Sequence, residues 1–175
     1  MQPKLKAKMD HMDHRLSKMI EVLDGLNEEQ LHHKPGGQWS PAQIFQHLLD
    51  SEVGTTNYLK KKLNAKPEDV PRGGISALVR YRVLARYIKN TKKKYRAPKV
   101  LADIPENPDY PLARARYQET RATLRSLLEP LTKNQVGRAY FKHPRAGRMN
   151  ILHTLGFLEL HLERHFKQIH ERIKT

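Results

Sequence analysis

Two histidines near the end of the chain, His161 and His165, stand one helical turn apart within a stretch that runs from Ile151 to Ile173. Read as one helix, that stretch carries an apolar stripe through Ile151, Leu155, Leu158, Leu162, Ile169 and Ile173. His165 takes the core position that the spacing demands between Leu162 and Ile169. His161 lies about 40° round the helix and one turn back, so both imidazoles leave one face at a separation that can close on one metal ion. The plainer reading is a core histidine hydrogen-bonded to a neighbour, and in a chain with ten histidines an i,i+4 pair also arises by chance. The helix alone leaves both readings open. The zinc-protease pattern does not apply, because Leu162 stands where that motif needs Glu and Glu163 lies about 160° from His161.

Composition narrows the chemistry. The 175 residues include no Cys, which excludes thiolate ligands and disulfides and leaves His, Asp and Glu to build any site. Of the remaining histidines, His11 and His14 lie among polar residues on a predicted helix and read as surface groups. His32 and His33 are adjacent on a turn, where neighbouring side chains diverge. With 33 Lys plus Arg against 18 Asp plus Glu the formal charge is +15, which admits nucleic acid, anionic surfaces or anionic small molecules as partners. The positive charge is concentrated between Asp69 and Asp103, a segment without one acid that holds Arg72, Arg80, Arg82, Arg86, Lys89, Lys92, Lys93, Lys94, Arg96 and Lys99. No interleaved aromatic platform or DNA-reading motif accompanies it, so a solvated basic face is the preferred reading. There is no run of about 18 apolar residues and no apolar run at the N-terminus; no membrane partner and a cytoplasmic location are the expectations.

The elements that must position such histidines follow from periodicity and caps. Residues 4–24 carry Leu5, Met9, Met12, Leu16, Met19, Ile20 and Leu23 at helical steps, and Gly25 closes that helix. Ser40-Pro41-Ala42-Gln43 is a capping box with proline at the first helical position, opening a helix over 41–63 whose buried stripe is Ile44, Phe45, Leu48 and Leu49. His47 rides the edge of that stripe. Trp39, the only tryptophan, precedes the cap and is expected to pack on the bundle rather than to meet a substrate. Leu78, Tyr81, Leu84, Ala85 and Ile88 predict a helix over 75–90. Pro105, Pro108 and Pro111 then predict irregular chain up to a helix over 112–129 with Tyr117, Thr120, Leu124, Leu127 and Leu128 inward. Val136 to Met149 reads as a loop leading to Asn150, the N-cap of the last helix at 151–173. With no persistent strand alternation and no repeat, the expected fold is all-α. It is a single domain over 1–175, a four-helix bundle whose long crossover, 64–111, carries an extra helix. In such a bundle, facing helices place side chains in one interior, which gives His47 a partner.

Taken in order, Trp39-Ser40-Pro41 followed by His47, the crossover with Tyr95-Arg-Ala-Pro98, the loop His143-Pro144-Arg-Ala-Gly147 and His161-x-x-x-His165 followed by Gln168 resemble the DinB-like superfamily of metal-binding four-helix bundles. The likeness is to the branch that includes bacillithiol transferases and metal-dependent hydrolases. The resemblance implies that His47, His161 and His165 bind one divalent ion. Three neutral imidazoles suit Zn or Ni first, with Fe or Co as further options, and leave positions open as catalytic sites do. It implies that His143, in the His-Pro loop, lies near the mouth of the site, and a structural loop role is the competing reading. Gln168, one turn beyond His165, is expected to hydrogen-bond a ligand or the substrate.

Two functional readings differ in class. The first is a metal-dependent enzyme, a thiol S-transferase or hydrolase, whose basic crossover attracts an anionic low-molecular-weight thiol. The second is a nucleic-acid or anionic-partner binding module in which the metal is only structural. The sequence offers no general base attached to the motif, so catalytic residues stay unassigned. The resemblance also implies a homodimer.

Overall fold

The structure, a computed structural model, describes residues 1–90 and 103–174, so the run from Lys92 to Lys99 and the Tyr95-Arg-Ala-Pro98 motif lie outside the described residues. Its helices are α1 (Pro3–Asp24), α2 (Glu28–His32), α3 (Pro41–Lys62), α4 (Ile75–Lys89), α5 (Tyr110–Leu128), α6 (Lys133–Val136) and α7 (Ile151–Ile173). The four long ones, α1, α3, α5 and α7, close a ring: α7 lies against α1 and α3, and α5 lies against α3 and α1. The fold is all-α. The connection from α3 to α5 carries α4, which packs on α7.

Local sequence explains where three of the four long helices start, α3, α5 and α7. Ser40 Oγ accepts from Gln43 N, and Gln43 Oε1 accepts from Ser40 N, both at 3.2 Å, so two otherwise orphaned N–H groups open α3 satisfied. Asn150 Oδ1 accepts from His153 N at 2.8 Å at the head of α7. The helix expected from 112 begins instead at Tyr110, because Asp109 caps it through Leu112 N (2.9 Å) and Pro111 sits in the first turn, where its missing N–H costs nothing. Thr120 and Leu127, expected inward, are only partly buried. Thr120 Oγ turns back to Arg116 O (2.7 Å), and the inward place between Tyr117 and Leu124 goes to Arg121.

The segment read as a loop before α7 contains a small antiparallel hairpin, β1 (Phe141–His143) and β2 (Gly147–Met149), paired Phe141 with Met149 and His143 with Gly147. Gly147 adopts φ 68°, which a glycine takes without strain. β2 also lies against α4. Each strand is three residues long, too short for alternation to stand out in the sequence.

The core falls into two apolar groups. One holds Leu5, Met9, Leu59, Leu124, Leu128, Leu155 and Leu158; the other holds Leu16, Phe45, Leu48, Tyr117, Leu162 and Ile169. Along α1, α3 and α5 the change from one to the other occurs at Asp13, Glu52 and Arg121. Arg121 donates to Glu52 at 2.5 and 2.8 Å and to Asp13 at 2.9 Å. A charged layer therefore divides the bundle between the two groups.

Candidate metal centre

His47 sits in the second turn of α3 and His161 and His165 three to four turns into α7, the helix that α3 packs against. His161 Nε2 lies 3.2 Å from His47 Nε2 and 3.0 Å from His165 Nε2. One nitrogen from each ring falls within 4.8 Å of the others, and no other group of this kind with three His, Cys, Asp or Glu is found among the described residues. Two imidazole nitrogens each about 2.0–2.1 Å from one ion, at angles between 90° and 109°, are separated by about 2.9–3.4 Å, so the observed spacings suit a shared ion. The donor set fits the group that the sequence resemblance implies.

Protonation agrees with that fit. His165 Nδ1 lies 2.6 Å from Gln168 Oε1, so the ring proton is placed on Nδ1 and the Nε2 lone pair faces the other two rings. Burial, then the neighbouring His47, depresses the His165 pKa to about 3. Burial, then His165 and His47, holds His161 well below the ordinary histidine range. His161 and His165 thus sit as neutral bases, and the Nε2 atoms of all three rings converge, an arrangement a cation relieves.

Aromatic side chains surround the group. Trp39 packs on His47 with centroids 5.1 Å apart at 47°, which adds to its expected place on the bundle a direct contact with the site. Its carbonyl accepts from Arg172 at 3.3 Å. Phe157, one turn before His161, lies nearly parallel to that ring at 5.5 Å. Its i−4 spacing from His161 is the sequence signal for this contact. His143, at the end of β1, meets Phe157 edge-on at 4.6 Å. Its Nδ1 accepts from the N–H groups of Arg145 and Ala146, both at 3.1 Å, so the proton of the neutral ring is on Nε2. Burial, then Arg145, brings the His143 pKa down to about 4. It is near enough to His161 for a proton on one to oppose a proton on the other.

Among the described residues no carboxylate joins the three-histidine group. Glu52 is held by Arg121, and Glu163 pairs with Lys167 at 3.4 Å. Glu159 is clasped by Lys8 and His11; burial alone would raise its pKa, but those two partners hold it below the ordinary value. His11 is exposed, as its polar surroundings predicted, though the sequence did not reveal this contact across to α7. The remaining histidines lie apart from the group: His32 pairs with Glu28 at 3.2 Å, His153 stacks on Tyr81 at 4.7 Å and His170 packs on Phe166 at 4.6 Å.

A family model described as the DinB superfamily matches residues 11–169. No curated protein and no solved structure matches the chain.

Proposed function

The chain belongs to the DinB superfamily, and from that membership together with the site geometry we propose that it is a metal-dependent enzyme, a thiol S-transferase or a hydrolase, with His47, His161 and His165 as the ligands of one divalent ion. The observation that carries this reading is the convergence of the His47, His161 and His165 Nε2 atoms, with His161 Nε2 3.2 Å from His47 and 3.0 Å from His165. An all-imidazole set without carboxylate favours Zn or Ni, then Fe or Co, over Mg or Ca.

A divalent ion with open positions lowers the pKa of a ligated water or thiol and polarises an electrophile. The chain's own groups supply orientation and enclosure. Gln168 holds His165 in the tautomer that presents Nε2. Trp39 packs on the His47 ring and Phe157 on the His161 ring, so apolar surface lines the site on these two sides. His143 keeps a proton on Nε2 because two backbone N–H groups occupy Nδ1, which suits it to donating a hydrogen bond to an anionic or carbonyl oxygen of a substrate. Glu52, Glu159 and Glu163 are engaged elsewhere, so none of these carboxylates is placed as a general base for the reaction.

Metal content per chain, measured by mass spectrometry on protein purified without an affinity tag, tests this. We expect one ion per chain in the parent and a loss of most of it in His47→Ala, His161→Ala and His165→Ala, with helical circular dichroism retained. A full complement of metal in His47→Ala sinks the three-ligand site, and parent protein without metal sinks the enzyme reading.

A further inference from the structure

The helix of the crossover has two apolar faces, and the bundle covers only one. Ala77, Leu84 and Ile88 of α4 are buried toward the rest of the protein. On the outer side Ile75, Val79 and Val83, at successive i,i+4 steps, are 82%, 53% and 63% exposed. A solvated helix face is normally polar, so three branched aliphatics in a row there have an unmet use. Arg82 and Arg86 lie beside them and line one surface hollow with Val79 and Val83. Neither arginine has an ion-pair partner among the described residues.

The charge around this stripe has one sign. Residues 70–90 and 136–149 contain no Asp or Glu. The β1–β2 hairpin is fastened beside α4, with Arg80 Nε donating to Ala146 O at 3.0 Å and an Arg145 guanidinium N–H donating to Tyr87 Oη at 3.4 Å. It adds exposed Lys142, Arg145 and Arg148 next to exposed Arg82, Arg86 and Lys89. From this complementarity we infer that the outer face of α4 rests on an anionic lipid surface, with Ile75, Val79 and Val83 at the acyl boundary and the arginines among the headgroup phosphates. A basic helix with an exposed apolar stripe is the pattern of an interfacial helix. Nucleic acid would use the cations and leave the aliphatics in water, so it explains half of the face. No helix among the described residues is long and apolar enough to cross a membrane, and three aliphatics with no Trp or Phe give weak, reversible attachment. The inference is independent of the metal reading, since none of these residues contacts the three histidines.

Co-sedimentation of the full chain with vesicles tests it, comparing phosphatidylcholine alone with an equimolar phosphatidylcholine and phosphatidylglycerol mixture. We expect binding to the mixed vesicles only. The Ile75→Gln/Val79→Gln/Val83→Gln variant and the Arg82→Gln/Arg86→Gln variant should each lower the partition coefficient by roughly tenfold or more, as expected for a few buried methylenes or two cations near an anionic surface. All five positions are exposed, and circular dichroism checks that both variants keep the helical fold. Absence of binding to the mixed vesicles overturns the inference, as does binding that both variants retain in full. It is equally overturned if only the arginine variant loses binding while the aliphatic variant binds mixed vesicles and a short duplex DNA as the parent does, which would make the face a polyanion site.

Discussion

At the scale of residues, the site depends on which nitrogen each imidazole offers. Gln168 Oε1 at 2.6 Å from His165 Nδ1 decides this for one ring, and it does so from the same helix, three residues on. Removing such a partner costs metal affinity while leaving the ligand in place. Gln168→Ala is therefore expected to weaken metal binding by about 10- to 100-fold without removing it, read by competition with a chromophoric chelator. Gln168→Glu, which keeps an acceptor at that position, should recover most of the affinity. Equal affinity in Gln168→Ala and the parent would mean that packing alone orients His165. His161 and His165 were legible as a pair because one helix fixes their relation. His47 was legible only as a histidine at the edge of an apolar stripe, since no local rule says which face of α7 it meets.

At the scale of elements, the bundle is tied across its middle by ions. Arg121 on α5 reaches Glu52 on α3 and Asp13 on α1, and Arg121 and Glu52 are both buried. A buried pair adds little net stability compared with an apolar substitute, because both charges leave water. Breaking it from one side is costly, since the remaining charge has no partner. Arg121→Met is expected to destabilise the protein by about 3–5 kcal/mol in urea unfolding, and Arg121→Met/Glu52→Leu to recover most of that loss. A double variant as unstable as the single one would show that the ions also set the packing of the bundle. This layer was missed in the sequence because Arg121, Glu52 and Asp13 come together from three helices only after those helices assemble; periodicity ranks a charged residue as outward. The capping box at Ser40 and the cap at Asn150 were legible, since each is a contact across three residues.

At the scale of the whole molecule, burying neutral histidines makes stability depend on pH. His165 and His143 have folded-state pKa values depressed to about 3 and about 4, against about 6.5 in an unfolded chain. Between those limits the unfolded chain binds more protons than the folded one, so stability rises with pH there. The contribution is complete above about pH 6.5 and is lost as pH falls toward 4 and then 3. Chelator-treated protein should accordingly show a falling urea midpoint from pH 7 to pH 4, and saturating metal at pH 7 should raise its melting temperature. A flat urea midpoint across that range would mean that the rings are solvated in the folded state. Sequence by itself determined the five longer helices, most of their ends, the all-α class and the family, because stripes, caps and motif spacing are short-range properties written in consecutive residues. Only the tertiary structure decided that His47 meets His161 at 3.2 Å, that Trp39 covers His47, that Arg121 lies inside and that the outer stripe of α4 is uncovered. Each of these depends on how helices far apart in the chain turn toward one another, and that rotation is set by the packing of all of them together rather than by any one stretch.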